Sequence, residues 1–342
     1  MPETPADPPG LDLARLRAHL ERELPGAVQG PLKADLIEGG RSNLTYVLTD
    51  GDNRWVLRRP PLGHVLATAH DMGREYRVMT ALRETDVPVP RTLLLDPDTD
   101  VLGAPWYLME LVPGTAHRDA ATLAALGEHR VHALGRRLVE TLAALHRIDP
   151  SAVGLADFGH PDGYLERQLR RWSKQLAASR SRDLPELDRL HELLVDRLPA
   201  SPAPALVHGD YRLDNVLVDD TDAITAVLDW EMSTLGDPLT DIGLLVMYTE
   251  LAGGGGGIIP SAMTAPGFPS SGEIVAYYAE LTGRQAADLD WYVAFASFKL
   301  AAVAEGIYFR YQQGRTLGAG FERAGEMAPV LARHGLSTLK ES

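Results

Sequence analysis

Two aspartates and an asparagine are the residues of this sequence best suited to chemistry. Asp210 and Asn215 lie five apart in the segment HGDYRLDN (208–215), between two short apolar runs, and Asp229 follows a third such run. Aspartate and asparagine are common in turns at strand ends. Carboxylate and amide oxygens are also the ligands that Mg²⁺ prefers, together with substrate phosphates. All three residues at this spacing favour a cation site over turn chemistry alone.

The elements around these residues are short strands, predicted at 206–207, 216–218 and 224–228, with the acidic turn 219–222 before the last. The rest of the chain divides in two. Residues up to about 113 alternate like a small α+β unit, with a helix over 11–24, strands at 33–37, 44–49, 55–58, 92–96 and 106–111, and a helix over 68–82. Beyond that point, 3.6-residue periodicity predicts helices ending before Asp149 and at 162–179, 186–197, 238–251, 271–282, 288–311 and 320–334.

Composition limits the classes of function. The 342 residues suffice for two domains, and 45% hydrophobic residues suffice for a core. A net charge of −14 argues against broad nucleic-acid binding, and the absence of cysteine removes disulfides, Cys-ligated zinc, iron–sulfur clusters and thiol nucleophiles. The polar N-terminus lacks signal-peptide features, and no run approaches about 20 apolar residues, so we expect a cytoplasmic protein without a membrane span. The sequence gives no indication of oligomeric state.

The pattern His208-Gly209-Asp210-x₄-Asn215, followed by Asp229-Trp230, resembles the aminoglycoside phosphotransferase-like kinases. Further segments resemble the kinase-like domain that animals fuse to acyl-CoA dehydrogenases, and its free-standing bacterial relatives. These segments are 69–71 (AHD), 74–77 (REYR), Tyr164 with 167–168 (RQ), and 236–238 (GDP). The resemblance covers about residues 30–335. It implies an α+β, protein-kinase-like fold: an N-terminal helix and tail (1–30), a small N-lobe with an antiparallel sheet and one main helix (31–112), and a larger, mostly helical C-lobe (113–342).

The resemblance also implies ATP and Mg²⁺ as cofactors and gives the motif residues their roles. Asp210 would accept or orient the proton of the acceptor hydroxyl, while Asn215 and Asp229 would hold Mg²⁺ on the nucleotide phosphates. His208 would brace the loop, and Asp241 would fasten it through backbone hydrogen bonds. An aspartate at a helix N-terminus also has a capping explanation, which is compatible with the first role, and Asp237 could equally be the cap.

The N-lobe is implied to bind the nucleotide. Gly39, Gly40, Ser42 and Asn43 lie between the first two strands, where backbone amides could cover phosphates, although two glycines alone fit a plain turn equally well. Arg58 takes the place of the usual kinase lysine, because the chain has no lysine between Lys33 and Lys174, and Glu75 would pair with it. The backbone of Glu110 and Val112 would contact adenine.

Two aromatic and polar stripes occur at helical spacing, a pattern that more often reflects packing of the lobe than a ligand site. In the fold that the resemblance implies, however, helices of the C-lobe form the acceptor site, so both stripes are candidates for it. They comprise Tyr164, Gln168, Arg171 and Trp172 on one helix, and Lys299, Glu305 and Arg310 on a later one. Their cations indicate a locally cationic pocket for an anionic small-molecule acceptor. The resemblance to the domain fused to acyl-CoA dehydrogenases implies a hydroxyacyl acid or its CoA thioester. The alternatives are a kinase of aminoglycoside or macrolide antibiotics, and a pseudokinase or scaffold that only binds nucleotide.

Overall fold

The computed structural model describes residues 7–37, 43–62, 71–254, 259–314 and 321–341. The chain forms two compact units: 1–113 with 225–231, called the first unit, and 114–224 with 232–342, called the second unit. Residues 225–231 thus join the first unit although both flanking stretches belong to the second.

The first unit contains a five-stranded antiparallel sheet in the order β1-β2-β3-β5-β4. Its elements in chain order are α1 (Leu13–Glu23), β1 (Lys33–Leu36), β2 (Leu44–Thr49), β3 (Arg54–Arg59), α2 (Met72–Leu82), β4 (Thr92–Asp96) and β5 (Trp106–Glu110). The turn residues between β2 and β3 account for the pairing of these two strands, as the sequence predicts.

Both faces of the sheet are covered. Successive strand residues point to opposite faces, so neighbouring residues of one strand contact different helices. Leu16 and Leu20 of α1 share a buried cluster with Tyr46 and Trp106. The next residue of β5, Tyr107, points the other way, and its hydroxyl bonds to α2. Residues 106–109 of β5 are therefore buried on both faces of the strand.

Helix α2 begins later than the sequence indicates. It was expected from Thr68, but the structure starts it at Met72, because the Asp71 side chain accepts the backbone N–H of Arg74 as an N-terminal cap. Residues 63–70 lie outside the described residues.

The second unit is mostly helical. Its helices are α3 (Ala120–Ala124), α4 (Glu128–Arg147), α5 (Tyr164–Ser179), α6 (Pro185–Asp196), α7 (Leu239–Glu250), α8 (Ser271–Thr282), α9 (Leu289–Gln312) and α10 (Ala324–Glu341). Its short strands are β6 (Ala205–Val207), β7 (Val216–Val218) and β9 (Thr234–Gly236), with β6 and β9 antiparallel; β8 (Ile224–Val227) begins here and continues into the first unit. Neither α3 nor β9 is predicted from the sequence.

Helix α9 is the central helix of the second unit. Its length and composition would allow it to cross a membrane, but 67% of its most apolar stretch is buried inside the protein, as is typical of a core helix. It packs closely against α7, since a Cβ on Gly243 would lie 2.6 Å from the backbone of Tyr292. The apolar character of α9 is thus explained by packing.

Helix α10 corrects the prediction at the end of the chain. It was expected to end at residue 334, where the following glycine is a common stop signal, but it runs to Glu341. Gly335 serves packing instead, because a Cβ there would lie 2.7 Å from the Leu190 side chain of α6.

Candidate active site

A buried charge cluster lies in the first unit, where β3, α2 and the segment after β8 meet. Arg58 Nε lies 3.0 Å from Glu75 Oε2, and Arg58 Nη2 lies 2.5 Å from Asp229 Oδ1. Glu231 is 3.8 Å from the same guanidinium. The pairing of Arg58 with Glu75 predicted from the sequence is therefore present, and it includes two further carboxylates.

Hydrogen bonds orient the carboxylate of Glu75. The Tyr107 hydroxyl donates to Oε2 at 2.9 Å, and Asn43 Nδ2 donates to Oε1 at 3.2 Å. Burial raises the pKa of Glu75, with Arg58 opposing. Burial lowers the pKa of Arg58, but Glu75 and the neighbouring carboxylates outweigh it, so this pKa lies above its ordinary value. Arg58 is thus a permanent cation held at a fixed position.

The backbone at Asp229 is in the left-handed region, with φ of +67°. A non-glycine residue pays a steric cost there, which is why such residues cluster at functional sites. The conformation directs the carboxylate to Arg58 immediately after β8.

The other nucleotide candidates of the first unit differ in what the structure shows. Gly39, Gly40 and Ser42 lie outside the described residues. The Asn43 side chain bonds to Glu75 and, at 3.2 Å, to Glu231. Both the amide and the carboxylate of Glu110 bond to the Arg91 backbone, and Val112 follows the end of β5. Their contacts with a nucleotide stay predictions.

In the second unit, Asp241 fastens the catalytic loop, defined as residues 207–215. Its Oδ2 accepts the N–H of His208 at 2.7 Å, and its Oδ1 accepts the N–H of Gly209 at 2.8 Å. His146 Nε2 lies 3.1 Å from Oδ2, and its Nδ1 lies 2.8 Å from the Tyr278 hydroxyl. Burial raises the pKa of Asp241, but these partners outweigh it and keep the pKa below its ordinary value. The carboxylate is therefore a fixed anion under the loop.

Asp210 presents its carboxylate within a set of donors. Asn215 Nδ2 donates to Oδ2 at 3.1 Å and to the Asp210 carbonyl at 2.8 Å. The Tyr248 hydroxyl lies 3.3 Å from Oδ1, and Arg212 Nε lies 3.5 Å from Oδ2. Burial, and after it Asp210, raise the pKa of Tyr248, so the phenol keeps its proton and donates. Hydrogen bonds from Asn215 and Tyr248 therefore orient both carboxylate oxygens of Asp210.

The donor chemistry of Asn215 and Asp229 fits a hard cation. The amide nitrogen of Asn215 is committed to Asp210, so its oxygen is the atom that it can offer. The Asp229 side chain is 27% exposed, and its Oδ1 pairs with Arg58 while Oδ2 is its second donor. Oxygen donors of this kind suit Mg²⁺.

The acceptor candidates separate into two groups. Tyr164, Gln168 and Lys299 line a narrow cavity beside Gly209 and Asp241, and the buried Trp172 faces both Arg171 and Lys299. Glu305, in contrast, is fully buried and bonds to Ser181 and Arg182.

Arg310 is exposed near the end of α9. At 1.5 Å per residue, it lies about 16 Å from Lys299 along the helix axis. Because of this distance, the three predicted cations do not share one small pocket. Acceptor contacts of Arg171 and Arg310 stay predictions.

Sequence reasoning missed Tyr248, Arg212, His146 and Glu231. A signal existed for Tyr248, since it lies seven residues after Asp241 on α7, two turns along the same face. Arg212 and Glu231 lie within two residues of Asp210 and Asp229, but sequence proximity does not show which side chains converge.

Known proteins of similar sequence and fold were compared with this chain. A family model described as "Phosphotransferase enzyme family" matches residues 33–258. A chicken (Gallus gallus) protein, acyl-CoA dehydrogenase family member 11, is 35% identical over 96% of this chain, which corresponds to 44% of that protein. The chain therefore spans less than half the length of this relative.

Solved structures share the fold. A Ralstonia eutropha protein, provisionally described as an aminoglycoside phosphotransferase, superposes with a TM-score of 0.82 at 35% identity, covering 96% of this chain and 98% of the other. A thermostable mutant of the aminoglycoside phosphotransferase APH(4)-Ia, in ternary complex with AMP-PNP and hygromycin B, gives a TM-score of 0.53 at 17% identity, with 95% of this chain and 97% of the other covered. The predicted α+β, kinase-like fold is thus confirmed.

Proposed function

The chain belongs to the phosphotransferase enzyme family, and from this premise we propose that it transfers the γ-phosphoryl group of ATP to a hydroxyl group of a small molecule. The observation that carries the proposal is the Asp210 carboxylate, which accepts hydrogen bonds from Asn215 and Tyr248 and lies 3.5 Å from Arg212 Nε. A protein that only binds nucleotide has no need of such a carboxylate.

In the proposed reaction, Asp210 orients the acceptor hydroxyl and takes its proton as the hydroxyl oxygen attacks the γ-phosphorus. The bond from that phosphorus to the β–γ bridging oxygen breaks, and ADP leaves. Arg58, fixed by Glu75, supplies positive charge to the nucleotide phosphates. Mg²⁺, when bound, neutralises charge that develops on the transferred group, and Asn215 and Asp229 are the residues that would hold it. A relative of the same fold binds an ATP analogue, which supports the nucleotide assignment.

For the acceptor, we propose a hydroxyacyl acid or its CoA thioester. Two relatives that are 35% and 34% identical to this chain are named as acyl-CoA dehydrogenase family members, and the matched part covers 44% and 30% of them. A shared acyl substrate would explain why the matched part occurs in proteins of that name. The exposed guanidinium groups of Arg171 and Arg310 suit an anionic ligand.

The test is product formation with ATP and Mg²⁺ over hydroxyacyl-CoAs, the free hydroxy acids, and aminoglycoside and macrolide antibiotics, detected by mass spectrometry. We expect a mass gain of one phosphate on an acyl substrate. The Asp210→Asn variant should bind nucleotide and lose about 10²- to 10⁴-fold in rate. Antibiotic phosphorylation alone would replace the acyl proposal. Nucleotide binding without transfer to any hydroxyl, in wild type as in Asp210→Asn, would favour a scaffold.

A further inference from the structure

We propose that Lys299 is a positioning residue of the catalytic loop, which holds the carbonyl of Gly209 and thereby sets the direction of the Asp210 carboxylate. This inference rests on the proposed function, since it assigns Lys299 to the loop that carries the reaction. It differs from the sequence prediction, in which Lys299 contacts the acceptor.

The placement of Lys299 sets it apart from the other lysines. Only four of the 33 basic residues are lysine. Lys33, Lys174 and Lys340 are exposed, whereas Lys299 is partly buried on α9. A buried ammonium group costs free energy unless it is hydrogen-bonded. The partner that it has is the Gly209 carbonyl, to which Nζ donates.

The hydrogen bond from Lys299 restrains Gly209, the most flexible backbone position of the loop. Gly209 has φ of +85°, and a Cβ there would lie 2.8 Å from Met232, so only glycine fits. Glycine, however, has the widest range of backbone angles. Asp241 holds the N–H of Gly209 and Lys299 holds its carbonyl, so both peptide groups flanking the residue are restrained. Since the second of them leads into Asp210, the restraint carries over to the catalytic side chain.

The surroundings of Lys299 favour a positioning role over acceptor binding. The cavity that it shares with Tyr164 and Gln168 is narrow, with space for about one water molecule, too little for a small-molecule acceptor. The ammonium lies 5.5 Å from the ring centroid of Trp172, within range of a cation–π contact. The compact, three-donor ammonium suits this space, whereas the planar guanidinium of the far more common arginine is larger.

Lys299→Met tests the proposal, because methionine keeps an unbranched apolar stem and lacks the donor. The matched control is Lys174→Met, the same change at an exposed position on α5. A misplacement of about 1 Å costs roughly 100-fold in rate. We therefore expect kcat to fall about 100-fold in Lys299→Met, with the KM values for ATP and acceptor within about 3-fold of wild type, while Lys174→Met is unchanged.

A second variant separates the hydrogen bond from packing. Lys299→Ala should lose activity equally, and added methylammonium should restore at least about a tenth of kcat, because it can enter the vacated space and donate to Gly209. A purely structural loss would not respond to the amine. Normal kcat in Lys299→Met, or an acceptor KM that rises with kcat unchanged, would overturn the proposal.

Hydrogen exchange provides a readout that does not depend on catalysis. Amides of residues 208–213 should exchange faster in Lys299→Met than in wild type and Lys174→Met. If wild type phosphorylates no acceptor, the proposed function fails, and the exchange measurement still decides the role of Lys299. Equal exchange in all three proteins would then refute it.

Discussion

Replacing Arg58 with methionine should destabilise the first unit by about 3–5 kcal/mol, the usual cost of removing one partner of a buried ion pair. The Glu75 side chain is 1% exposed, and its carboxylate lies 3.0 Å from the guanidinium. At that distance, with an effective dielectric constant of about 20, the gross attraction is roughly 5 kcal/mol. The hydrogen bonds from Tyr107 and Asn43 remain in the variant but bring no full charge.

The loss of stability caused by Arg58→Met should depend on pH. Burial already raises the pKa of Glu75 above its ordinary value, although Arg58 opposes the effect. Without Arg58 the folded-state pKa rises further. When the pKa of a glutamate is higher in the folded state than in the unfolded state, its contribution to stability is fully present below the unfolded-state pKa of about 4.3. This contribution is lost as the pH rises through the folded-state pKa. The loss of stability in Arg58→Met should therefore be smaller at about pH 5 than at about pH 8.

Urea unfolding at the two pH values measures this, with hydrogen exchange of β3 and α2 amides to report on the first unit. Arg54→Met is the control, because Arg54 is exposed on the same strand. The double variant Arg58→Met/Glu75→Gln should be more stable than Arg58→Met, since it also removes the unpaired buried charge of Glu75. The reasoning is refuted if Arg58→Met costs no more than Arg54→Met, or if its cost is the same at both pH values.

Two further predictions concern Asp229. Asp229→Ala should weaken Mg²⁺-dependent ATP binding more than Asn215→Ala, because a carboxylate brings a full charge and an amide only a dipole; Mg²⁺ titration in the presence of ATP measures this, and equal affinities in the two variants would contradict it. Asp229→Gly should be about 1 kcal/mol more stable than Asp229→Ala, since glycine adopts a φ of +67° without steric cost; urea unfolding compares the two, and equal stability would argue against strain at this position.

The sequence predicted the sheet of the first unit well because its information is local. Alternating strand residues and the Asp50-Gly51 turn specify β2 and β3 without reference to the rest of the chain. Strand β9, in contrast, has three residues and exists through its pairing with β6, nearly thirty residues earlier. Such a strand has no periodicity of its own to detect.

The same distinction applies to the candidate site. Asp210 and Asn215 were predicted because a loop motif of eight residues contains both. Tyr248 and Lys299 reach that loop from α7 and α9. The charge of Lys299 makes it a candidate site residue, but the sequence does not show that its donor faces a backbone carbonyl. Similarly, Gly335 predicts a helix C-terminus in the sequence, whereas in the structure it allows close packing against α6.

The membership of residues 225–231 in the first unit has a consequence for dissecting the protein. A fragment that ends at Pro113 would contain the sheet, Arg58 and Glu75, but not Asp229 or Glu231. Such a fragment would carry an incomplete charge cluster, and its behaviour would misrepresent the intact chain. Any chimera that exchanges the first unit with that of a relative must therefore transplant two separate stretches of sequence, so that Arg58 and the carboxylates after β8 come from the same parent.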